Sequence, residues 1–163
     1  MERAKIAGIL RLVASIIICQ LAGLIGSVFT RSSIPTWYAG LEKPSFTPPN
    51  WLFAPVWTTL FLLMGVSVFL VWRDRSGSQR GRVALAIFAI QLFLNVLWSI
   101  AFFGFRSPLA GLIVILFLWI AILSTILNFL KVSEVAGVLL IPYILWVTFA
   151  AVLNASIFAL NIT

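Results

Sequence analysis

Apolar residues in this chain do not alternate with polar ones; they fall in long unbroken blocks separated by short polar segments. Five blocks, at 6–29, 51–72, 83–105, 108–130 and 135–160, match the length of about 20 helical residues needed to cross roughly 30 Å of hydrocarbon. The last four carry no charge inside. The first carries only Arg11, near enough to its N-terminal end for a long side chain to reach the interface. The pattern predicts an all-α integral membrane protein, a single domain over 1–163 built as a bundle of five transmembrane helices. Basic residues before the first block also fit a signal peptide, but 12–29 exceeds a usual signal core and is read as a span.

Composition strengthens this picture. Of 163 residues, 63% are hydrophobic and 9% charged, more apolar surface than one soluble core of this size could hide. The net charge of +7 would suggest nucleic acid in a soluble chain. Here the basic residues sit between apolar blocks, so they read as topology signals, with lipid and not nucleic acid as the macromolecular surroundings. Arg3, Lys5, Arg11, Arg73, Arg75, Arg80, Arg82 and Lys131 share one side, and Arg31, Lys43 and Arg106 the other. Positive segments stay in the cytoplasm, which predicts a cytoplasmic N-terminus.

The connection at 30–50 is the only long one. It is rich in Pro, Ser and Thr, and prolines at 35, 44, 48 and 49 restrict it, so it is expected to be a structured cap over one end of the bundle. Pro142 is expected to bend the fifth helix.

Chemistry is sparse. The chain has no histidine and a single cysteine, Cys19, which excludes disulfides, Cys/His metal sites, histidine-ligated haem and Ser/His/Asp catalysis within one chain. No metal or cofactor is expected. No acidic residue lies inside a span to carry protons. What remains there is neutral and polar: Gln20, Gln91, Asn95, Ser99, Asn128 and Asn154, each explicable as glue between helices.

Spacing singles out one group. Gln91, Asn95, Trp98 and Ser99 recur at i, i+4, i+7 and i+8, as Trp146 and Ala150 do at i and i+4, and Trp57 and Phe61 likewise. Three such faces could enclose an apolar cavity with a few polar groups, the usual make-up of a small-molecule site. Trp51 and Trp72 bracket their span as interfacial residues, whereas Trp57, Trp98, Trp119 and Trp146 lie deeper.

The segment WYAGLEKPSFTPPNWLFAPVW at 37–57 resembles the first loop and second helix of the translocator protein family, the tryptophan-rich sensory proteins or peripheral-type benzodiazepine receptors. QLFLNVLWSIAFF at 91–103 and IPYILWVTFAAVLNASIFALN at 141–161 continue the resemblance in the family's order. It implies a five-helix bundle, often a homodimer, that binds tetrapyrroles such as protoporphyrin IX, sterols in some members, and drug-like apolar ligands beneath the first loop. By matching position it assigns ligand contacts to Tyr38, Pro48, Trp57, Asn95, Trp98, Ser99, Trp146 and Ala150, to which spacing adds Phe61.

A membrane receptor or sensor is the leading expectation, and a porphyrin or sterol carrier is an alternative. Some bacterial members are also reported to degrade protoporphyrin in light. In that enzymatic reading Trp57 and Trp146 are the candidate catalytic residues, and porphyrin is substrate and not cofactor. Arg31 and Lys43 are the nearest cations for its propionates. Cholesterol-binding members carry Leu or Val, Tyr, then Lys or Arg near the end of the fifth helix. The ending AAVLNASIFALNIT lacks that pattern, which points away from cholesterol and towards a prokaryotic origin in a bacterial cell membrane. The spans hold no GxxxG; the small-residue pairs Ala22/Gly26 and Ala151/Ala155 serve packing within or between chains.

Overall fold

The computed structural model describes residues 2–75 and 77–162. Residues 1, 76 and 163 of the expected domain lie outside the described residues, as do the side chains of Ala4 and of Arg75, one of the residues used for orientation. Six helices follow in order: α1 (Glu2–Ser33), α2 (Asn50–Arg75), α3 (Gln79–Ser99), α4 (Pro108–Leu130), α5 (Glu134–Val138) and α6 (Ile141–Leu160). No strand occurs among the described residues. Five stretches are long and apolar enough to cross a membrane: Lys5–Ser33, Asn50–Asp74, Gln79–Gly104, Pro108–Leu130 and Glu134–Leu160. The protein is a multi-pass, five-span helical membrane bundle, with lipid-facing stripes such as Ile113, Leu116, Phe117 and Ile120 on α4.

Short connections end in serines that start the next helix. The hydroxyl oxygens of Ser78, Ser107 and Ser133 accept the backbone N–H of Gly81, Ala110 and Ala136, occupying donors that a helix start leaves free.

Three boundaries differ from expectation. Helix α1 runs on to Ser33 because nothing at 30–33 breaks a helix; it stops before Ile34, whose α conformation Pro35 disfavours. The loop therefore begins at 34. The fifth span is not one bent helix but two, α5 and α6. Pro142 has no N–H to offer the carbonyl four residues back, Val138, and α5 ends there. Helix α3 finishes in a π-helical turn, Ile100–Gly104, in which the Phe105 N–H reaches back five residues to the Ile100 oxygen at 2.8 Å.

Helix α1 packs on α2 and α3, α3 on α4, and α4 on α5 and α6. Close approach of α1 and α2 depends on Gly65: a Cβ there would stand 2.7 Å from the Ile16 Cα. The Ser67 hydroxyl donates to the Ala136 carbonyl at 2.6 Å, tying α2 to α5. Gly26 of the Ala22/Gly26 pair lies against Ser99 of α3, where an added Cβ would come within 2.9 Å of the hydroxyl oxygen. Gly26 thus serves a contact inside the chain.

The loop is ordered, as its prolines suggested. A short 3-10 turn, Tyr38–Gly40, buries the Tyr38 ring against Phe102 and Phe103. Ser33 donates to the Phe103 carbonyl at 2.8 Å, and Asn161 beyond α6 bonds to both backbone groups of Glu42.

Candidate functional site

Beneath the loop lies a cavity of about 450 Å³. Its walls come from α1 (Gln20, Gly23, Leu24, Gly26, Ser27, Thr30, Arg31), α2 (Asn50, Phe53, Ala54, Trp57, Thr58, Phe61), α3 with its π turn (Asn95, Trp98, Ser99, Phe102, Phe103) and α6 (Ala150, Leu153, Asn154, Ile157). Ile34 and Tyr38 of the loop complete it, and α4 contributes nothing. Instead, Gly111 lets α4 support the wall from behind, where a Cβ would meet Phe102 at 2.7 Å and the Asn154 oxygen at 2.9 Å.

Aromatic rings line one flank. Trp57 lies 5.7 Å from Phe61 and 6.2 Å from Trp98, and Trp98 stacks on Phe102 at 5.9 Å. Such a surface suits a flat apolar molecule. The π turn accounts for much of it, because the extra residue per turn buries Phe102 and Phe103 together. Towards lipid the wall between α1 and α2 is thin: Leu24, Ser27, Ala54 and Thr58 are exposed and line the cavity as well. Gln20 Nε2 donates to the Thr58 carbonyl at 3.0 Å across this seam.

The polar groups divide into those engaged by the protein and those free for a ligand. Trp98 Nε1 donates to Asn154 Oδ1 at 3.2 Å, and Asn154 Nδ2 to the Pro108 carbonyl at 2.7 Å. Asn95 Nδ2 donates to the Tyr143 hydroxyl at 2.8 Å. The Trp57 indole N–H, Asn95 Oδ1 and the Ser99 hydroxyl, on residues that line the cavity, have no partner among the described residues. Arg31, exposed at the loop end of α1, lines the cavity with no carboxylate beside it among the described residues. Lys43 is engaged: its Nζ donates to the Ala39 and Leu41 carbonyls and lies 5.0 Å above the Tyr38 ring. Burial pushes the Tyr38 phenol above its ordinary range, so it stays a neutral O–H at neutral pH.

Of the residues singled out by sequence, Tyr38, Trp57, Phe61, Asn95, Trp98, Ser99 and Ala150 come together on the wall. Pro48 and Trp146 do not. Pro48 is half-buried in the loop. Trp146 packs against Phe53 at 6.0 Å and Phe149 at 5.4 Å, with its indole N–H buried and unpartnered among the described residues. Gln91, on the same face as Asn95, sits below the wall and accepts from Tyr143 at 2.9 Å. Sequence reasoning passed over Leu153 and Ile157 as wall residues, although Ala150, Leu153, Asn154 and Ile157 follow the helical i, i+3, i+4, i+7 spacing.

Residues 15–160 match the model of the TspO/MBR family. The chain is 49% identical over 153 residues to the tryptophan-rich protein TspO of Archaeoglobus fulgidus, covering 94% of this chain and 98% of that one. Its counterpart in Chlorobaculum tepidum is 47% identical, over 94% and 97% of the two chains. The translocator protein of Homo sapiens is 38% identical over 136 residues, 83% of this chain and 80% of its own. On a match of that extent, carried through all five spans, the chain belongs to the TspO/MBR family.

Proposed function

We propose that the protein is a membrane receptor or sensor that takes a tetrapyrrole, or another flat apolar molecule, into the cavity under the loop. One observation carries the reading: an aromatic-walled chamber of about 450 Å³ whose lining includes polar groups and a cation, Arg31, without partners among the described residues. The volume falls within the roughly 300–1,000 Å³ of small-molecule sites. Trp57 and Trp98 would stack on the macrocycle, Asn95 and Ser99 would meet polar atoms, and Arg31 would pair with a propionate. The names of the relatives, sensory protein and translocator protein among them, agree with this class of role.

The enzymatic alternative keeps one support, the accessible Trp57 indole at the cavity wall. Its second candidate, Trp146, is not among the cavity-lining residues and packs against Phe53 at 6.0 Å. A receptor is therefore preferred to a light-dependent porphyrin-degrading enzyme. The excess of basic residues at the end opposite the loop favours a cytoplasmic N-terminus, with the loop on the outer side.

The test is a titration of detergent-purified protein with protoporphyrin IX, following tryptophan quenching in the dark and porphyrin absorbance under light. Saturable quenching in the micromolar range, about 8 kcal/mol of binding, with stable absorbance is the expected result. Light-driven porphyrin loss dependent on Trp57 would move the assignment to the enzyme, and absence of saturable quenching would remove the tetrapyrrole.

A further inference from the structure

At the end of the bundle away from the loop, Arg11 of α1 does not simply trail along its own helix. Its guanidinium lies over the Trp72 ring of α2, 5.6 Å from the centroid. Arg11 comes six residues after Lys5, where the first span begins, which is about 9 Å along the helix. The span has 29 residues, about 43 Å, and so exceeds roughly 30 Å of hydrocarbon by enough to put Arg11 at the boundary between acyl chains and headgroups. Trp72 stands two residues before the end of the second span at Asp74, the depth at which indoles gather.

Arg11 is exposed, and so are the apolar side chains around it on α1, Leu10, Val13 and Ile17. It makes no hydrogen bond or ion pair among the described residues. A ring supplies no lone pair, so the guanidinium keeps its planar fork of N–H donors for another acceptor. Arg73, next to Trp72 in sequence, differs: its Nε and Nη2 donate to the Asp74 carboxylate at 2.6 and 3.3 Å. That pair also occupies the carboxylate closest in sequence to the indole. Eight basic residues lie at this end of the chain, against Glu2, Asp74 and Glu134.

We propose that Arg11 and Trp72 form a seat for the headgroup of an anionic phospholipid in the leaflet on the side of the N-terminus. The arginine fork fits two phosphate oxygens, and the indole holds it ready in place. The excess of cations favours a lipid of net negative charge over a zwitterionic one, whose own cation they repel. The acyl chains would lie along Leu10, Val13 and Ile17. A free phosphate has no such second attachment and would have to leave water to reach this depth.

The test is native mass spectrometry of the full chain in detergent with equimolar dioleoylphosphatidylglycerol and dioleoylphosphatidylcholine. The wild type is expected to retain the anionic lipid about tenfold over the zwitterionic one, the worth of one charge-assisted contact. Arg11→Gln should bring the ratio near one, and Arg11→Lys, which keeps the charge but loses the fork, to about threefold. Arg80→Gln removes the same charge from an exposed position on the same side and should stay within about twofold of wild type. Equal losses in Arg11→Gln and Arg80→Gln would mean diffuse attraction and overturn the seat, as would equal retention of the two lipids by the wild type. Inorganic phosphate, exchanged for chloride at matched ionic strength, should leave the retained lipid unchanged; displacement at millimolar phosphate would reassign the site to a soluble anion. If Arg11→Gln fails to fold, Arg11→Lys and Trp72→Leu decide, since both keep the charge and a wild-type ratio in either refutes the stacked fork.

Discussion

The side-chain amide of Asn161 pairs with the backbone of Glu42 at both ends, accepting its N–H at 3.1 Å and donating to its carbonyl at 3.0 Å. The same Nδ2 also donates to the Ile157 carbonyl at 2.8 Å. One residue thus closes the end of α6 and clips the loop over the cavity. Asn161→Ala is expected to weaken this closure by about 1–2 kcal/mol, two hydrogen bonds at partly exposed sites. Hydrogen exchange should speed up across 37–43 and leave α3 and α4 unchanged; uniform protection in the variant would show that the prolines alone hold the loop.

The two tryptophans on the aromatic flank should separate binding from stability. Trp98→Phe strands the Asn154 carbonyl and is expected to cost about 1–3 kcal/mol of stability. Trp57→Phe removes an indole N–H that has no partner among the described residues, so it should leave Tm near the wild-type value. Its effect should fall on affinity for an acceptor-bearing ligand such as N-methylphenanthridinone, about five- to tenfold. Thermal unfolding in detergent and quenching titrations read the two effects independently, and a matching pattern for both variants would contradict the division.

Arg31 lines the cavity and has no ion-pair partner among the described residues, whereas Lys43 in the loop is held by the Ala39 and Leu41 carbonyls. Arg31→Gln is expected to lower affinity for protoporphyrin IX by about three- to tenfold while leaving its dimethyl ester unaffected. Raised salt should narrow the difference between acid and ester in the wild type only. Lys43→Gln should affect acid and ester alike, since its contacts are with the loop.

Gly65 provides a packing test away from the cavity. Gly65→Ala places a methyl group 2.7 Å from the Ile16 Cα, and backbone on both sides must move apart. A loss of about 1–3 kcal/mol is expected by overpacking. Gly8→Ala, with nothing within 4 Å of the new atom, should cost nothing. Similar melting shifts for the pair would refute the close-contact argument.

The five spans and the ordered loop were legible because block length and proline content act locally. Phe61, Trp57, Asn95, Trp98 and Ser99 were legible as a set because shared faces of α2 and α3 follow from helical spacing. Trp146 illustrates what spacing leaves open. It shares a face with Ala150, yet periodicity says nothing of depth, and it is Phe53 from another helix, packed against the Trp146 ring, that lines the cavity. Gln91 lies too deep for the same reason. The π turn was hidden because one extra residue in a turn leaves no mark on an unbroken apolar run; with it went the pairing of Phe102 and Phe103.

Helix α4 touches α3, α5 and α6 yet offers no atom to the chamber. Shape and support are thus assigned to different helices. Substitutions on α1, α2 and the loop can remodel what the chamber accepts while α4 keeps the far side in register, so the ligand preferences of such a bundle can diverge widely without a change of architecture. The outer stripe of α4, with Phe117 and Ile120 turned to lipid, is by the same logic the quiet place on the molecule to attach a spectroscopic label.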